Sequence, residues 1–211
     1  MGMEENIIII YTPRSGSTSL LNSFSESHLC LDEIFSQKKG NTFKDFLDWV
    51  LNSKKPIILK SGTDHVPIDI DDKNHMVSGP WQGPDDFDED NFLDFFDILL
   101  PFFGTIILLD RKNTEDHLIA WNHLVYNVKS GGEVHGKYNV IENLVGDFHY
   151  YFYRSKTRLK KISDKLNQDI VYYEDIYYGD TEKFIESLGF SFTPHMKKIL
   201  DTSQRYRQNE I

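Results

Sequence analysis

The sequence predicts an α/β fold: a single-domain, three-layer sandwich over residues 1–211, with a central parallel sheet flanked by helices. Three observations predict it. Apolar runs such as Ile7 to Ile10 and Thr105 to Leu109 lack the alternation of a half-exposed strand, as expected of strands covered on both faces. Segments with helical spacing separate these runs, which implies parallel strands joined by crossover helices. The chain has 211 residues, 39% of them hydrophobic and 14% aromatic, enough for one sizeable core but crowded for two.

Taken in order, the first strand, Ile7 to Ile10, stops at a turn made by Pro13 and Gly16, and a helix opens near Ser17 and runs to about Phe24. The free N–H groups and positive dipole end of such a helix face the strand's carboxyl edge, a place suited to an anion. Arg14 offers a planar fork of donors to a pair of phosphate or sulfate oxygens, and Ser15, Ser17, Thr18 and Ser19 offer neutral donors. An amphipathic stretch spans Phe43 to Leu51, and Pro56 to Lys60 reads as the second strand. Residues 62–84 carry Gly, Pro, Asp and His without periodicity and read as a long loop, an acceptor-side lid. Next, Asp90, Asp94 and Asp97 share one helical face while Phe92, Phe95, Phe96 and Leu99 share the other, until Pro101 ends the helix. Gly104 to Asp110 is the third strand. A helix from about Thr114 to Val128, a Gly131-Gly132 turn and a longer helix from about Val140 to Leu166 precede a fourth strand, Asp169 to Glu174. Arg111 follows the third strand directly, at the sheet edge where open α/β folds bind ligands and across from the first loop. Ser203 to Arg207 reads as a basic, solvated tail.

Composition excludes several classes of function. Asp and Glu outnumber Lys and Arg by 33 to 23, a formal charge of −10, which argues against nucleic-acid binding and favours a neutral or cationic acceptor over a polyanion. The one cysteine, Cys30, leaves no internal disulfide framework, and no apolar run approaches the roughly 20 residues of a membrane span. The N-terminus lacks the basic region of a signal peptide, so a cytoplasmic location is expected. A nucleoside-triphosphate loop would need Gly-x-x-x-x-Gly-Lys-Ser/Thr, and this chain has no Lys at that place.

The run Tyr11-Thr-Pro-Arg-Ser-Gly-Ser-Thr-Ser19 resembles the first loop of sulfotransferases that use 3′-phosphoadenosine-5′-phosphosulfate (PAPS), Pro-Arg/Lys-Ser-Gly-Ser/Thr-Thr, which binds the 5′-phosphosulfate. Leu108-Leu-Asp-Arg-Lys-Asn113 is similar to that family's 3′-phosphate motif, which implies that Arg111 pairs with the 3′-phosphate. Tyr173-Glu174-Asp175 resembles the family's Tyr-Glu-Asp-Leu segment and is taken as structural. The resemblance implies a P-loop-like architecture, PAPS as cofactor and its bisphosphate as product, and a bacterial or viral type of enzyme. The family's Ser, eight residues after the Arg, is here Ile119. Asn122, about 60° round the helix and roughly 4.5 Å along it, is the candidate replacement.

Sulfuryl transfer is an in-line displacement governed by positioning and anion stabilisation, for which no metal is expected. Arg14 and the loop amides would stabilise the departing phosphate, and Lys60 the transferring oxygens. For the base, the resemblance offers two residues. Leu31-Asp-Glu-Ile-Phe35 is similar to the segment in which bacterial glycolipid-sulfating members carry a Glu, which points first to Glu33. His65 stands three residues later than the His of the Lys-Thr-His members and is the second choice. The acceptor would be a hydroxyl-bearing small molecule, sugar or lipid, and a homodimer is compatible with the reading. A small-molecule or nucleotide kinase and a non-catalytic nucleotide-binding module are the alternatives.

Overall fold

The computed structural model describes residues 3–35, 43–63, 89–129 and 147–208. Five strands, β1 (Ile7–Tyr11), β2 (Leu29–Asp32), β3 (Ile57–Gly62), β4 (Thr105–Asp110) and β5 (Val171–Tyr172), form one sheet in the order β2-β3-β1-β4-β5. Every pairing is parallel. The α/β class and the parallel sheet therefore stand as the apolar runs implied. β1 lies at the centre, with Ile7, Ile8, Ile9 and Ile10 all at 0% exposure, which is why its sequence shows no alternation.

Helices cover both faces. α1 (Ser17–Ser23), α6 (Tyr173–Tyr177), α7 (Thr181–Ser187) and α8 (Pro194–Gln208) bury Leu20, Leu21, Tyr173, Tyr177, Ile185 and Leu200 against Ile7, Ile9, Ile58 and Ile107. On the other face, α2 (Phe43–Asn52), α3 (Glu89–Leu99) and α5 (Asp147–Leu166) set Phe46, Phe95, Phe96 and Leu159 against Ile8, Ile10, Leu59 and Leu108. Burying each such Phe contributes about 1.5–3 kcal/mol. α4 (Thr114–Lys129) leans on α5 through Trp121 and Phe152.

Register is fixed at the amino edge by Asn6. Its Oδ1 accepts the Ile57 amide at 2.8 Å, its Nδ2 donates to the Phe102 carbonyl at 3.0 Å, and its own carbonyl accepts from Gly104 and Thr105. One residue thus aligns β3, β1 and β4. The chain leaves β1 for a helix on one face and leaves β4 for a helix on the other, and these two strands are neighbours. The crevice beyond their carboxyl ends is the topological switch point of the sheet.

Several expectations need correction. The fourth strand is only two residues long. Gln168 Nε2 donates to the Ile106 carbonyl at 2.5 Å, so a side chain occupies the acceptor that another ladder bond would have used, and Tyr173 and Glu174 already belong to α6. The segment at Leu29 is an edge strand, β2. The stretch from Ser203 to Arg207 continues the helix α8, so it is not a tail. The Gly131-Gly132 turn, residues 140–146 of the long helix, and residues 64–84 of the expected lid with His65 lie outside the described residues.

Candidate functional site

The first loop, Thr12 to Gly16, is built from left-handed backbone. Arg14 has φ 67° and Gly16 φ 85°. Among described residues other than glycine, only Arg14, Glu33 and Asn167 have positive φ, and the first two both stand at the carboxyl edge of the sheet. Such strain concentrates where a side chain must be aimed. At Gly16 a Cβ would come within 2.7 Å of the Tyr173 ring and 2.9 Å of the Tyr177 ring, and Tyr177 donates its hydroxyl hydrogen to the Gly16 carbonyl at 2.8 Å. Only glycine fits there.

Gly16 caps α1 without any side-chain hydrogen bond, so the Ser/Thr run is not a capping run. α1 is seven residues long, two turns, and its dipole is correspondingly small. Anion binding here must rest on side chains and loop amides. Ser15 is fully buried, and its Oγ has no hydrogen-bond partner among the described residues.

Arg111 begins the second loop. Its guanidinium lies over the Tyr173 ring, 4.8 Å from the centroid, and its Nε is buried with no hydrogen-bond partner among the described residues. Tyr173 therefore touches both loops, with Gly16 at one edge and Arg111 on its face. Glu174 accepts the amides of Lys112 at 2.8 Å and Asn113 at 3.3 Å, which fixes the backbone just past Arg111.

The first loop is bonded directly to the end of β4, just before the second loop. The Thr12 amide donates to the Leu109 carbonyl at 3.1 Å, and Thr12 Oγ1 donates to Asp110 Oδ1 at 2.6 Å. Lys156 Nζ grips both Asp110 oxygens, at 2.9 and 2.7 Å, and reaches the Arg111 carbonyl at 3.2 Å. His117, fully buried on α4, places Nε2 2.5 Å from the Pro13 carbonyl, so Nε2 carries the proton and donates. Its Nδ1 lies 3.4 Å from Asp110 Oδ1. Burial pushes the imidazole pKa down to about 4; the Pro13 bond and Asp110 oppose the shift, while Lys156 and Arg111 add to it. His117 is thus neutral near pH 7, and its approach to Asp110 is not an ion pair.

A second cluster sits beside α1. Lys60, opposite Ile9 and Asp32 in the ladder, is 3% exposed, and its Nζ meets Thr18 Oγ1 at 2.7 Å, Asp32 Oδ1 at 2.8 Å and Glu33 Oε1 at 3.0 Å. Three donor hydrogens thus face three acceptors. The Tyr11 hydroxyl donates to the same Glu33 oxygen at 2.5 Å. Glu33, at φ 49°, is held by strained backbone and by two donors.

The structure accordingly brings the first loop (Arg14, Ser15, Gly16, Ser17, Thr18, Ser19), Lys60 and Glu33 to one side of the crevice and Arg111 to the other. His117 of α4 reaches the first loop. Asn122 lies further along that helix, with a buried Oδ1 that has no hydrogen-bond partner among the described residues. Sequence reasoning missed Asp110, His117, Lys156 and Tyr11. The usable signals were a carboxylate ending an apolar strand and a His one turn into the following helix. No helix among the described residues is long and apolar enough to cross a membrane. Compared with family models, curated proteins and solved structures, the chain matches none.

Proposed function

We propose that this chain is a PAPS-dependent sulfotransferase with a P-loop-like nucleotide site, acting on a hydroxyl-bearing small molecule, sugar or lipid. The observation that carries the reading is the direct bonding of the Arg14 loop to the strand end that Arg111 follows, Thr12 to Asp110 at 2.6 Å, at the switch point. That pairing suits a nucleotide phosphorylated at both ends. Fit to the cofactor is supported by the donor set: two guanidinium groups, loop amides, the Ser15 hydroxyl and a buried Arg111 Nε that lacks a hydrogen-bond partner among the described residues. PAPS would supply the sulfuryl group on a phosphate leaving oxygen. Arg14 and the loop amides would bind the 5′ end, and Arg111 the 3′-phosphate. Glu33, oriented by Tyr11 and Lys60, would take the acceptor's hydroxyl proton. The formal charge of −10 favours a neutral or cationic acceptor.

A second reading, a nucleotide-binding module without turnover, is favoured by one observation: Lys60 is already matched by Thr18, Asp32 and Glu33 and is not aimed at the crevice alone. Binding and turnover therefore need separate tests. Adenosine 3′,5′-bisphosphate without metal, at a hundredfold excess over its Kd, is expected to stabilise the wild type by about 2.7 kcal/mol and Arg14→Ala far less. Equal protection of both proteins would refute the assignment of the first loop, and protection only by ATP with magnesium would favour a kinase. Labelled PAPS offered with sugars, lipids and phenols is expected to give turnover that Glu33→Gln abolishes while keeping bisphosphate binding. Binding without turnover across that panel would favour the second reading.

A further inference from the structure

Beneath the two loops lies a polar knot that no step above uses. Asp110 is its centre. It accepts from Thr12 of the first loop and from Lys156 of α5, and His117 of α4 stands 3.4 Å away while donating to the Pro13 carbonyl. Lys156 also binds the carbonyl of Arg111. Each member thus contacts one loop or both. The Phe152 ring, 4.8 Å from the imidazole and at 76° to it, closes the remaining side of His117. Asp110 is 7% exposed and His117 0%, so these bonds form where water does not compete.

We propose that His117 and Lys156 are positioning residues that set the separation between Arg14 and Arg111, and so decide whether the site gains from a second phosphate. The proposal rests on the nucleotide reading of the two loops. Its physical content is a difference between ligands. A nucleotide with only a 5′-phosphate engages the first loop and is indifferent to the spacing. One with phosphates at both ends must meet two guanidinium groups on loops that follow different strands, and an error of about 1 Å between them weakens both contacts. Losing the His117 donor releases the first loop, as a unit, from α4 and so from its fixed distance to the second loop. Losing the Lys156 ammonium frees Asp110 and the carbonyl of Arg111.

Metal-free calorimetric titration of adenosine 5′-phosphate and adenosine 3′,5′-bisphosphate, into wild type, His117→Phe, His117→Gln and Lys156→Met, reads this difference. The wild type is expected to bind the bisphosphate more tightly than the 5′-phosphate. In His117→Phe and Lys156→Met that advantage falls about tenfold while 5′-phosphate affinity holds. His117→Gln, which keeps an N–H donor, recovers most of it. Should His117→Phe fail to fold, Lys156→Met carries the test, since that side chain is 18% exposed and leaves no large cavity. An unchanged advantage in the folded variants, or a parallel loss for both ligands, overturns the positioning role. A wild type that binds neither nucleotide removes the functional reading itself, an outcome distinct from failure of the variants.

Discussion

Acidification should weaken this fold through His117, and the size of the effect follows from its burial. In the unfolded chain the imidazole takes up a proton near pH 6.5; in the folded chain its pKa is pushed down to about 4, chiefly by desolvation. Between those values the unfolded state binds a proton that the native state does not, so stability falls as pH falls from 6.5 to about 4 and levels off below. The fall from 6.5 to about 4, at about 1.36 kcal/mol for each tenfold change in proton affinity, gives a loss of about 3 kcal/mol. The residue is fully buried, so solvent screening takes little from this figure. Burial also lowers the pKa of His28, and that contribution has the same sign. The assay is urea denaturation at intervals from pH 7 to 4 for wild type and His117→Gln, because the Gln variant keeps a donor for Pro13 but cannot titrate. His28 and the carboxylates remote from His117 contribute equally to both proteins and cancel in the difference. Wild type is expected to lose about 3 kcal/mol more than the variant across this range. Parallel pH profiles would refute the claim that His117 is buried and neutral beneath the first loop.

Other perturbations probe the site from different sides. Gly16→Ala must place a Cβ 2.7 Å from the Tyr173 ring at φ 85°, so chemical denaturation should show a loss of about 3 kcal/mol, and a loss below about 1 kcal/mol would contradict the packing. Lys60→Met leaves Asp32 and Glu33 without their shared cation. The carboxylates, 44% and 32% exposed, can turn to water, which limits the expected cost to about 2 kcal/mol against the 3–5 of a fully buried pair. A double-mutant cycle with Glu33→Gln should return a coupling of about 1 kcal/mol, and strict additivity would show that the two do not interact. Tyr11→Phe removes the second donor on Glu33; turnover is expected to fall with bisphosphate affinity unchanged, whereas an equal fall in both would assign Tyr11 to the nucleotide instead.

The parts of the fold that are legible in the sequence are those whose signal is local. β1 and β4 announce themselves because a strand buried on both faces needs an unbroken apolar run, as at Ile7 to Ile10. β2 does not. Of its four residues only Leu31 is buried, so the edge strand has too few apolar positions to show a period. β5 is overread because Ile170 and Tyr173, on either side of it, have strand-like composition, while the long-range bond from Gln168 to Ile106 limits the ladder. The same division holds at the candidate site. Arg111 directly follows a strand and Arg14 lies in the short loop after one, so both can be placed by adjacency alone. Lys60 was legible as a strand-end charge, but its partner Thr18 is 42 positions away, and no local rule supplies that pairing. Asp110 and Lys156 are separated by 46 positions, and the knot they form is a product of strand order, which periodicity does not encode.

The tyrosines packed under Gly16 tie an N-terminal turn to the last third of the polypeptide. Tyr173 and Tyr177 come more than 150 positions after the glycine they enclose. During synthesis, β1 and α1 emerge long before that support exists, and the turn has nothing to rest on until α6 docks. The arrangement of the two loops is therefore acquired late, and a nascent chain stopped just after Arg111 would hold both arginines yet lack the floor beneath them.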